Sequence, residues 1–543
     1  MIKVRRRLAY WGAQVFLYRH WSRYHNMLRS PLPIQQKKLL DILSRNQNCA
    51  YGKSHHFSKV LSGPKASCVL RYQDNVPIVR YEDIDPWIQR TINGECNVIC
   101  TEPVIAAERS SGSTSTNKII PITQSLLAEI QAGVYPWLYD MDRSNPRLNA
   151  CSSYWSISTM AKQPEVSAGG IPIGFSDDTA YFGGFMGWSV KNRMSVPGSV
   201  AKMPDMERCR YATCLYLLSD PDLGFVSVWS PTFLSLLMDF LRDHFTALVD
   251  DIENGTRHGE PWDGVAKNPK RANQLRKFIG LPVGQLTMRI WPKLTLISCW
   301  TSAAAALFIP QLKRWFPQVR LQGKGLLATE GIVSIPIGGD DSYLPCVASH
   351  FFEFVDVASA GGYPRTIDQL EPGKVYRVVL TTSGGLYRYD LGDLVEVDGF
   401  YRNTPSIRFV GRADRRSDIC GEKLTPHLVQ NLMQKVSQRL NVFPSFAMLS
   451  PALGKSPHYQ LFIESSTSQI EAFAKMLDTE LQSSHHYKQC RRLGQLGPVQ
   501  PISVDHGMAK YETAMRQRGM KAGDIKPTAL HPDTDWYNKM VTC

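Results

Sequence analysis

The sequence predicts an α/β protein, mixed α+β in detail, divided into more than one domain. Strand-like and helix-like patterns alternate along the chain, as that class requires. At 543 residues the chain is too long for a single hydrophobic core. Hydrophobic residues at 43% and charged residues at 20% give the balance of a soluble globular enzyme.

Near the amino terminus, the apolar stretch Leu8–Leu17 is broken by Tyr10, Trp11, Gly12 and Gln14, and Arg19, His20 and Arg23 follow. Neither a signal peptide nor a membrane span fits this pattern; a weakly amphipathic surface helix does. Gly52-Lys53-Ser54 has the look of a P-loop ending, but Gln47 stands where that motif needs glycine. Val104-Ile105-Ala106-Ala107 reads as the end of a strand, and the apolar pattern returns at Ile119-Ile120-Pro121-Ile122-Thr123. Further on, Ser230 suits an N-cap and Pro231 a first turn. Phe233, Leu236, Leu237, Phe240, Leu241, Phe245 and Leu248 then trace one face at helical spacing, which most simply means core. Short strands are expected over 375–382, 394–400 and 407–411. After Arg412-Ala413-Asp414-Arg415-Arg416 the pattern restarts, with a strand near 459–464 and a helix near 468–481. A domain boundary is placed there, giving 1–412 and 413–543.

The net charge of +14 creates a field that attracts anionic small molecules. Nucleic acid is not expected as a partner, because Arg5-Arg6-Arg7 is the only dense basic run and no recognition-module motif accompanies it. The twelve cysteines form no CxxC pair, and Cys96 and Cys100 have no histidine cluster to complete a zinc site. Free thiols in a reducing cytoplasm follow from that usage.

Chemistry is concentrated in three places. Ser110-Ser111-Gly112-Ser113-Thr114-Ser115-Thr116-Asn117-Lys118 sets six hydroxyls around one glycine, with a lysine after them. Backbone N–H groups, hydroxyls and a cation together suit a nucleotide phosphate, although the segment alone also reads as a Ser/Thr-rich surface loop. Thr329-Glu330, close to Gly323, Gly325 and Gly331, offers one carboxylate beside a hydroxyl. That pair suits magnesium once phosphates complete the shell, or is an ordinary surface turn. In Tyr387-Arg388-Tyr389-Asp390-Leu391-Gly392-Asp393, the carboxylate of Asp393 has two acceptor oxygens for a pair of ribose hydroxyls; it is equally a turn aspartate before a strand.

Taken in order, these motifs and the later Gly411-Arg412-Ala413-Asp414 resemble the adenylate-forming, firefly-luciferase-like enzymes. Within them the chain is most similar to the auxin-responsive acyl-acid amido synthetase family, and to its bacterial branch. Specific blocks are Val76-Pro77-Ile78 with Tyr81-Glu82-Asp83-Ile84, Thr381-Thr382-Ser383-Gly384-Gly385-Leu386-Tyr387-Arg388-Tyr389, and Gly421-Glu422-Lys423. Asn46 with Tyr51-Gly52-Lys53 and Phe57 is a looser match. The resemblance implies a large adenylate-forming N-terminal domain and a smaller, mobile C-terminal α/β domain. It implies that Ser110, Ser111, Gly112, Ser113, Thr114 and Lys118 hold the ATP phosphates, that Thr329 belongs to the nucleotide site, and that Glu330 ligates Mg2+. Asp393 would take the ribose, Thr301-Ser302-Ala303 would lie against adenine, and Asp414 would be the hinge. Gly523-Asp524-Ile525-Lys526-Pro527 resembles the segment carrying the adenylation lysine, so Lys526 is expected to be catalytic, with Lys423 in a loop that moves with it. By itself, Lys526 would read as solvated surface. Departures from the wider pattern are Ser115 in place of a glycine, Asn117 in place of a proline and Leu391 in place of a threonine; the last favours the amido synthetase branch.

The activity this implies is an ATP-dependent ligase that makes an acyl-adenylate from a carboxylic acid and transfers the acyl group to an amine, an amino acid being expected. A monomeric cytoplasmic enzyme is anticipated. The alternatives are an acyl-CoA ligase sharing the first step and a non-catalytic adenylate-binding protein. Trp229, Phe233 and Trp300 are candidates for the acyl pocket, and each also fits plain core.

Overall fold

The computed structural model describes residues 2–109, 118–156, 165–174, 181–203, 205–338, 342–359, 363–413, 417–453, 457–465, 469–520, 523 and 525–541. The chain forms two compact units. One comprises Met1–Ser152, Lys162–Met194 and Gln322–Phe409; the other comprises Ser153–Ala161, Ser195–Leu321 and Val410–Cys543. Helices and sheets alternate in both, as the mixed α/β pattern requires.

The first unit opens on a helix, Ile2–Met27, that buries Ala9, Ala13, Leu17 and Tyr24. Among the described residues, no helix is long and apolar enough to cross a membrane. One sheet of this unit pairs Val104–Arg109 antiparallel with Ile119–Thr123, from Val104 opposite Thr123 to Arg109 opposite Ile119. A second sheet runs in the order Phe351–Asp356, Val375–Thr381, Tyr389–Tyr401 and Thr404–Arg412. The last two strands are longer than sequence periodicity indicates; in Tyr389–Tyr401 the bulge at Gly392 bends the ladder and does not end it. Gly52 lies in a short helix, Ala50–Ser54, where a Cβ would come 2.2 Å from the carbonyl oxygen of Asn46. Close packing requires that glycine, and the P-loop likeness has no phosphate site behind it.

In the second unit, Leu223–Ser227 and Leu296–Cys299 pair in parallel, with Phe225 opposite Leu296. Ser230 caps the helix Pro231–Asp243 by accepting the Thr232 N–H. The expected single helix through Leu248 is in fact two. His244 leaves helical geometry (φ −106°, ψ 11°) and a second helix, Phe245–Asn254, begins after it. The Phe240 carbonyl receives both the backbone N–H and a ring nitrogen of His244, which closes the first helix locally.

The carboxy-terminal part of this unit shows the two-residue period of strands most clearly. Phe446–Ala452 pairs antiparallel with His458–Glu464, which pairs in parallel with Gln500–Ser503. Ala447, Leu449, Leu461 and Ile463 face a core with Val429, Met433 and Phe473 from the helices Pro426–Leu440 and Ile470–Leu481. Phe446, Met448 and Phe462 point the other way, toward Tyr511, Met515 and Trp536. Alternate residues thus enter two cores, and the sheet is covered on both faces.

Candidate active site

The hydroxyl-rich segment is the connection between the paired strands Val104–Arg109 and Ile119–Thr123. Ser110, Ser111, Gly112, Ser113 and Thr114 lie outside the described residues; both ends of the loop are described. The Tyr81 hydroxyl accepts the Ile119 N–H at 2.8 Å, which pins the second strand where the loop ends. Lys118 extends its Nζ to 3.4 Å from the Tyr389 hydroxyl and 5.5 Å from the centre of the Tyr81 ring. Tyr389 in turn points its hydroxyl at Glu330 Oε1, 3.5 Å away. Lys118, Tyr389 and Glu330 therefore converge, although they are far apart in the chain.

Glu330 owes its position to a hairpin turn. Leu327–Ala328 pairs with Gly331–Ile332, leaving Thr329 and Glu330 at the tip, both half-buried. His350, which has no exposed surface, accepts the Ile332 N–H on Nε2 at 3.1 Å. Its Nδ1 then carries the proton and donates to Glu129 Oε2 at 3.0 Å. The same carboxylate accepts the Ser383 N–H at 3.0 Å and the Ser383 hydroxyl at 2.6 Å. A buried Ser383–Glu129–His350 relay thus fixes the backbone two residues after Glu330. Gly331 allows the close approach, since a Cβ there would lie 2.7 Å from His350 Nε2.

Asp393 follows a bulge. Val379 lies opposite Asp390 and Arg377 opposite Leu394, so Val378 alone faces Leu391, Gly392 and Asp393. Gly392 takes the left-handed conformation this demands (φ 72°) and donates to Asp390 Oδ1 at 2.9 Å. Asp393 is nearly buried. The preceding Arg388 is a fold anchor, forked onto Glu353 at 2.9 and 3.0 Å and donating to the Val76 carbonyl at 2.6 Å. That contact, with the Val79 N–H donating to the Arg388 carbonyl and the Val79 carbonyl accepting the Asp390 N–H, explains why the Val76-Pro77-Ile78 block accompanies the tyrosine-rich one.

A single carboxylate with a nearby hydroxyl fits magnesium that arrives with phosphates. Among the described residues, no group of three His, Cys, Asp or Glu side chains is arranged to hold a resident ion. Burial pushes the Cys209 thiol up to about 11 and that of Cys100 to about 12, so neither is an ionised nucleophile at neutral pH. The described cysteines are free thiols.

In the second unit, Trp300 donates its backbone N–H to the Trp229 carbonyl at 2.8 Å, and the two rings lie 5.7 Å apart. Lys526, an exposed residue, holds its Nζ 4.8 Å from the centre of the Trp300 ring. Thr301 and Ser302 follow, half-buried; Ala303 has φ 52°, and its carbonyl receives the Gln430 amide. Phe233 is buried in its helix. Lys423 stands exposed in a tight loop at φ 52°, beside buried Glu422, which accepts the N–H groups of Ile419 and Cys420 at 2.9 and 2.8 Å. Asp414 lies outside the described residues.

Three models of one family match successive parts of this chain. These are the GH3 family N-terminal domain over residues 21–321, its central domain over 343–412 and its C-terminal domain over 426–535. The chain belongs to the GH3 family. Indole-3-acetic acid-amido synthetase GH3.17 of Arabidopsis thaliana is 24% identical over 541 residues, covering 87% of this chain and 86% of that protein. Indole-3-acetic acid-amido synthetase GH3.2 of the same plant is 24% identical over 445 residues, 76% of this chain and 79% of its own length. The solved GH3.15 acyl acid amido synthetase superposes with a TM-score of 0.82 at 20% identity, over 96% of this chain and 95% of that one. Its complex with 2,4-DB gives 0.83 at 21%. For this GH3 chain, sequence reasoning missed Glu129, His350 and the bridging Tyr389 hydroxyl. Glu129 carries the only usable signal, a carboxylate on the buried side of the helix Gln124–Ser144.

Proposed function

We propose that this GH3-family ligase activates a carboxylic acid with MgATP and transfers the acyl group to the amino group of an amino acid. The observation that carries the reading is the meeting of Lys118, Tyr389 and Glu330 where the hydroxyl-rich loop ends. A cation, a phenol and a carboxylate gathered at the end of a segment whose sequence carries six hydroxyls suit a polyphosphate and its counter-ion.

In the first half-reaction a carboxylate oxygen bonds to the α-phosphorus and the bond to pyrophosphate breaks. Ser110, Ser111, Gly112, Ser113, Thr114 and Lys118 bind the phosphates, and Thr329 adds a hydroxyl. Asp393 accepts the ribose hydroxyls, and Thr301, Ser302 and Ala303 lie along the adenine. Glu330 would hold magnesium, which would supply charge neutralisation. Lys526 stabilises the negative charge that develops on the phosphoryl oxygens. In the second, the amine attacks the activated carbonyl, AMP leaves and the nitrogen loses a proton. The Trp229–Trp300 pair offers aromatic faces to an acid. Relatives named for indole-3-acetic acid, and a neighbour solved with 2,4-DB, support an aromatic acid as that substrate.

Residues 413–543 act as a domain that turns about Asp414, bringing Lys526 in for the first step and carrying Lys423 with it. The enzyme works as a cytoplasmic monomer. Product analysis across a panel of aryl, indolyl and fatty acids tests the chemistry. AMP and pyrophosphate are expected, with amide formed from amino acids and no thioester from coenzyme A; stoichiometric ADP would rule out the adenylate route.

A further inference from the structure

The helix Ile2–Met27 is apolar on the side that it does not bury. Ala9, Ala13 and Leu17 face inward, so ordinary amphipathic patterning requires polar residues opposite. Instead Leu8, Trp11, Val15 and Tyr18 are exposed by 68%, 61%, 70% and 52%. Their spacing of three, four and three residues sets them in one line, about 15 Å long at the helical rise. The line broadens on one side. Gly12 has no side chain, and the Phe185 ring fills that gap, 3.2 Å from where a Cβ would stand. Phe185 stacks on Trp188 (6.0 Å between centres, 22° between planes), and each is 46% exposed.

The charged residues in the sequence of this helix are all of one sign. The helix contains Lys3, Arg5, Arg6, Arg7, Arg19 and Arg23 and no Asp or Glu. Arg7, Arg19 and Arg23 are exposed, and at 100° per residue they flank the apolar line. Aliphatic residues that need cover, Trp and Tyr beside them and arginines that can extend at the rim match a bilayer interface carrying anionic lipid. A second copy of this chain would set arginines against arginines. A nucleic acid would leave Leu8 and Val15 without a stacking partner.

We propose that this ridge docks the protein on the surface of an anionic membrane, with the helix lying in the interface plane and not crossing it. Docking there would concentrate the enzyme where apolar carboxylic acids partition.

Flotation of the full chain with vesicles tests this directly. Equimolar phosphatidylcholine and phosphatidylserine should carry the protein, pure phosphatidylcholine should not, and high salt should release it. Leu8→Ser with Val15→Ser should lower partitioning by roughly tenfold or more. Arg7→Gln, Arg19→Gln and Arg23→Gln should each lower it about fivefold. Because all five positions are exposed, the variants should keep the parent's circular dichroism, thermal midpoint and pyrophosphate exchange. The proposal is overturned if phosphatidylserine vesicles leave the protein in solution at low salt, or if the variants float like the parent. It is equally overturned if ultracentrifugation finds a dimer that Leu8→Ser with Val15→Ser converts to monomer, since the ridge would then be a self-interface.

Discussion

Backbone geometry positions Asp393 and Glu330, the two carboxylates proposed for the nucleotide site. The bulge opposite Val378 and the left-handed Gly392 set Asp393 on the buried face of its strand, in phase with Val395 and Val397. Replacing it with alanine removes a charged two-oxygen acceptor, at about 1.5–3 kcal/mol. Asp393→Ala should therefore weaken ATP binding by roughly 10- to 150-fold in calorimetric titration. Glu330→Gln keeps the shape and loses the charge, so the rate of pyrophosphate exchange should fall and its dependence on magnesium should shift. Unchanged ATP affinity and rate in both variants would mean that the nucleotide is bound elsewhere. His350 makes a separate case, because it reaches Glu330 only through the Ile332 N–H. His350→Leu leaves that N–H without its buried partner and removes one of the two donors to Glu129 Oε2. Adenylation should slow by about 10- to 100-fold, as losses of supporting residues around ligating groups do. His350→Gln, which can still donate and accept, should recover part of the rate. A merely structural role would lower the melting temperature without that recovery.

At the scale of elements, one carboxylate joins a helix to the turn that follows it. Asp251 ends the helix Phe245–Asn254 and accepts from the Tyr211 hydroxyl at 2.6 Å, the His258 N–H at 2.7 Å, the Gly259 N–H at 2.9 Å and the Thr256 hydroxyl. Burial alone would raise its pKa; these four donors outweigh it and hold the carboxyl below the usual aspartate range. A folded-state pKa below the unfolded one means that ionised Asp251 stabilises the native state. That contribution is complete above the unfolded value near 4 and is lost as pH falls through the lower, folded value. Asp251→Asn should lower stability by about 3 kcal/mol at neutral pH, since its amide would face the His258 N–H with a second donor. The deficit should shrink under acid, and denaturant titrations at several pH values would detect it; a constant deficit would refute the ionic account. Asp251 escaped the sequence reading because its four partners lie on both sides of a left-handed Gly255 that no periodicity announces. Elsewhere legibility followed period. The strand at His458–Glu464 and the helix cap at Ser230 were readable from local pattern, whereas the helix break at His244 was not, because the apolar spacing runs through it undisturbed. Candidate residues carried by a contiguous motif, such as Asp393, could be proposed from sequence; Glu129 and His350, more than two hundred residues apart, meet only after folding.

For the molecule as a whole, the sequence order of the motifs and the three successive family matches imply two half-reactions served by one chain. Lys526 belongs to the first of them in the proposed mechanism. Its charge complements the negative charge that builds on the phosphoryl oxygens and departing pyrophosphate. Its Nζ lies 4.8 Å from the centre of the Trp300 ring. Lys526→Ala should reduce ATP–pyrophosphate exchange by orders of magnitude, corresponding to roughly 3 kcal/mol or more of lost transition-state stabilisation. Supplied with a chemically prepared acyl-adenylate, the same variant should form amide at nearly the parent's rate, because the second step requires only the amine and the activated carbonyl in register. The split between the two assays is the informative quantity. Loss of the first with retention of the second supports a C-terminal domain that presents Lys526 once per cycle and then withdraws it. Equal loss in both would make Lys526 a structural residue or a participant in both steps, and rotation about Asp414 would no longer be needed to explain the chemistry.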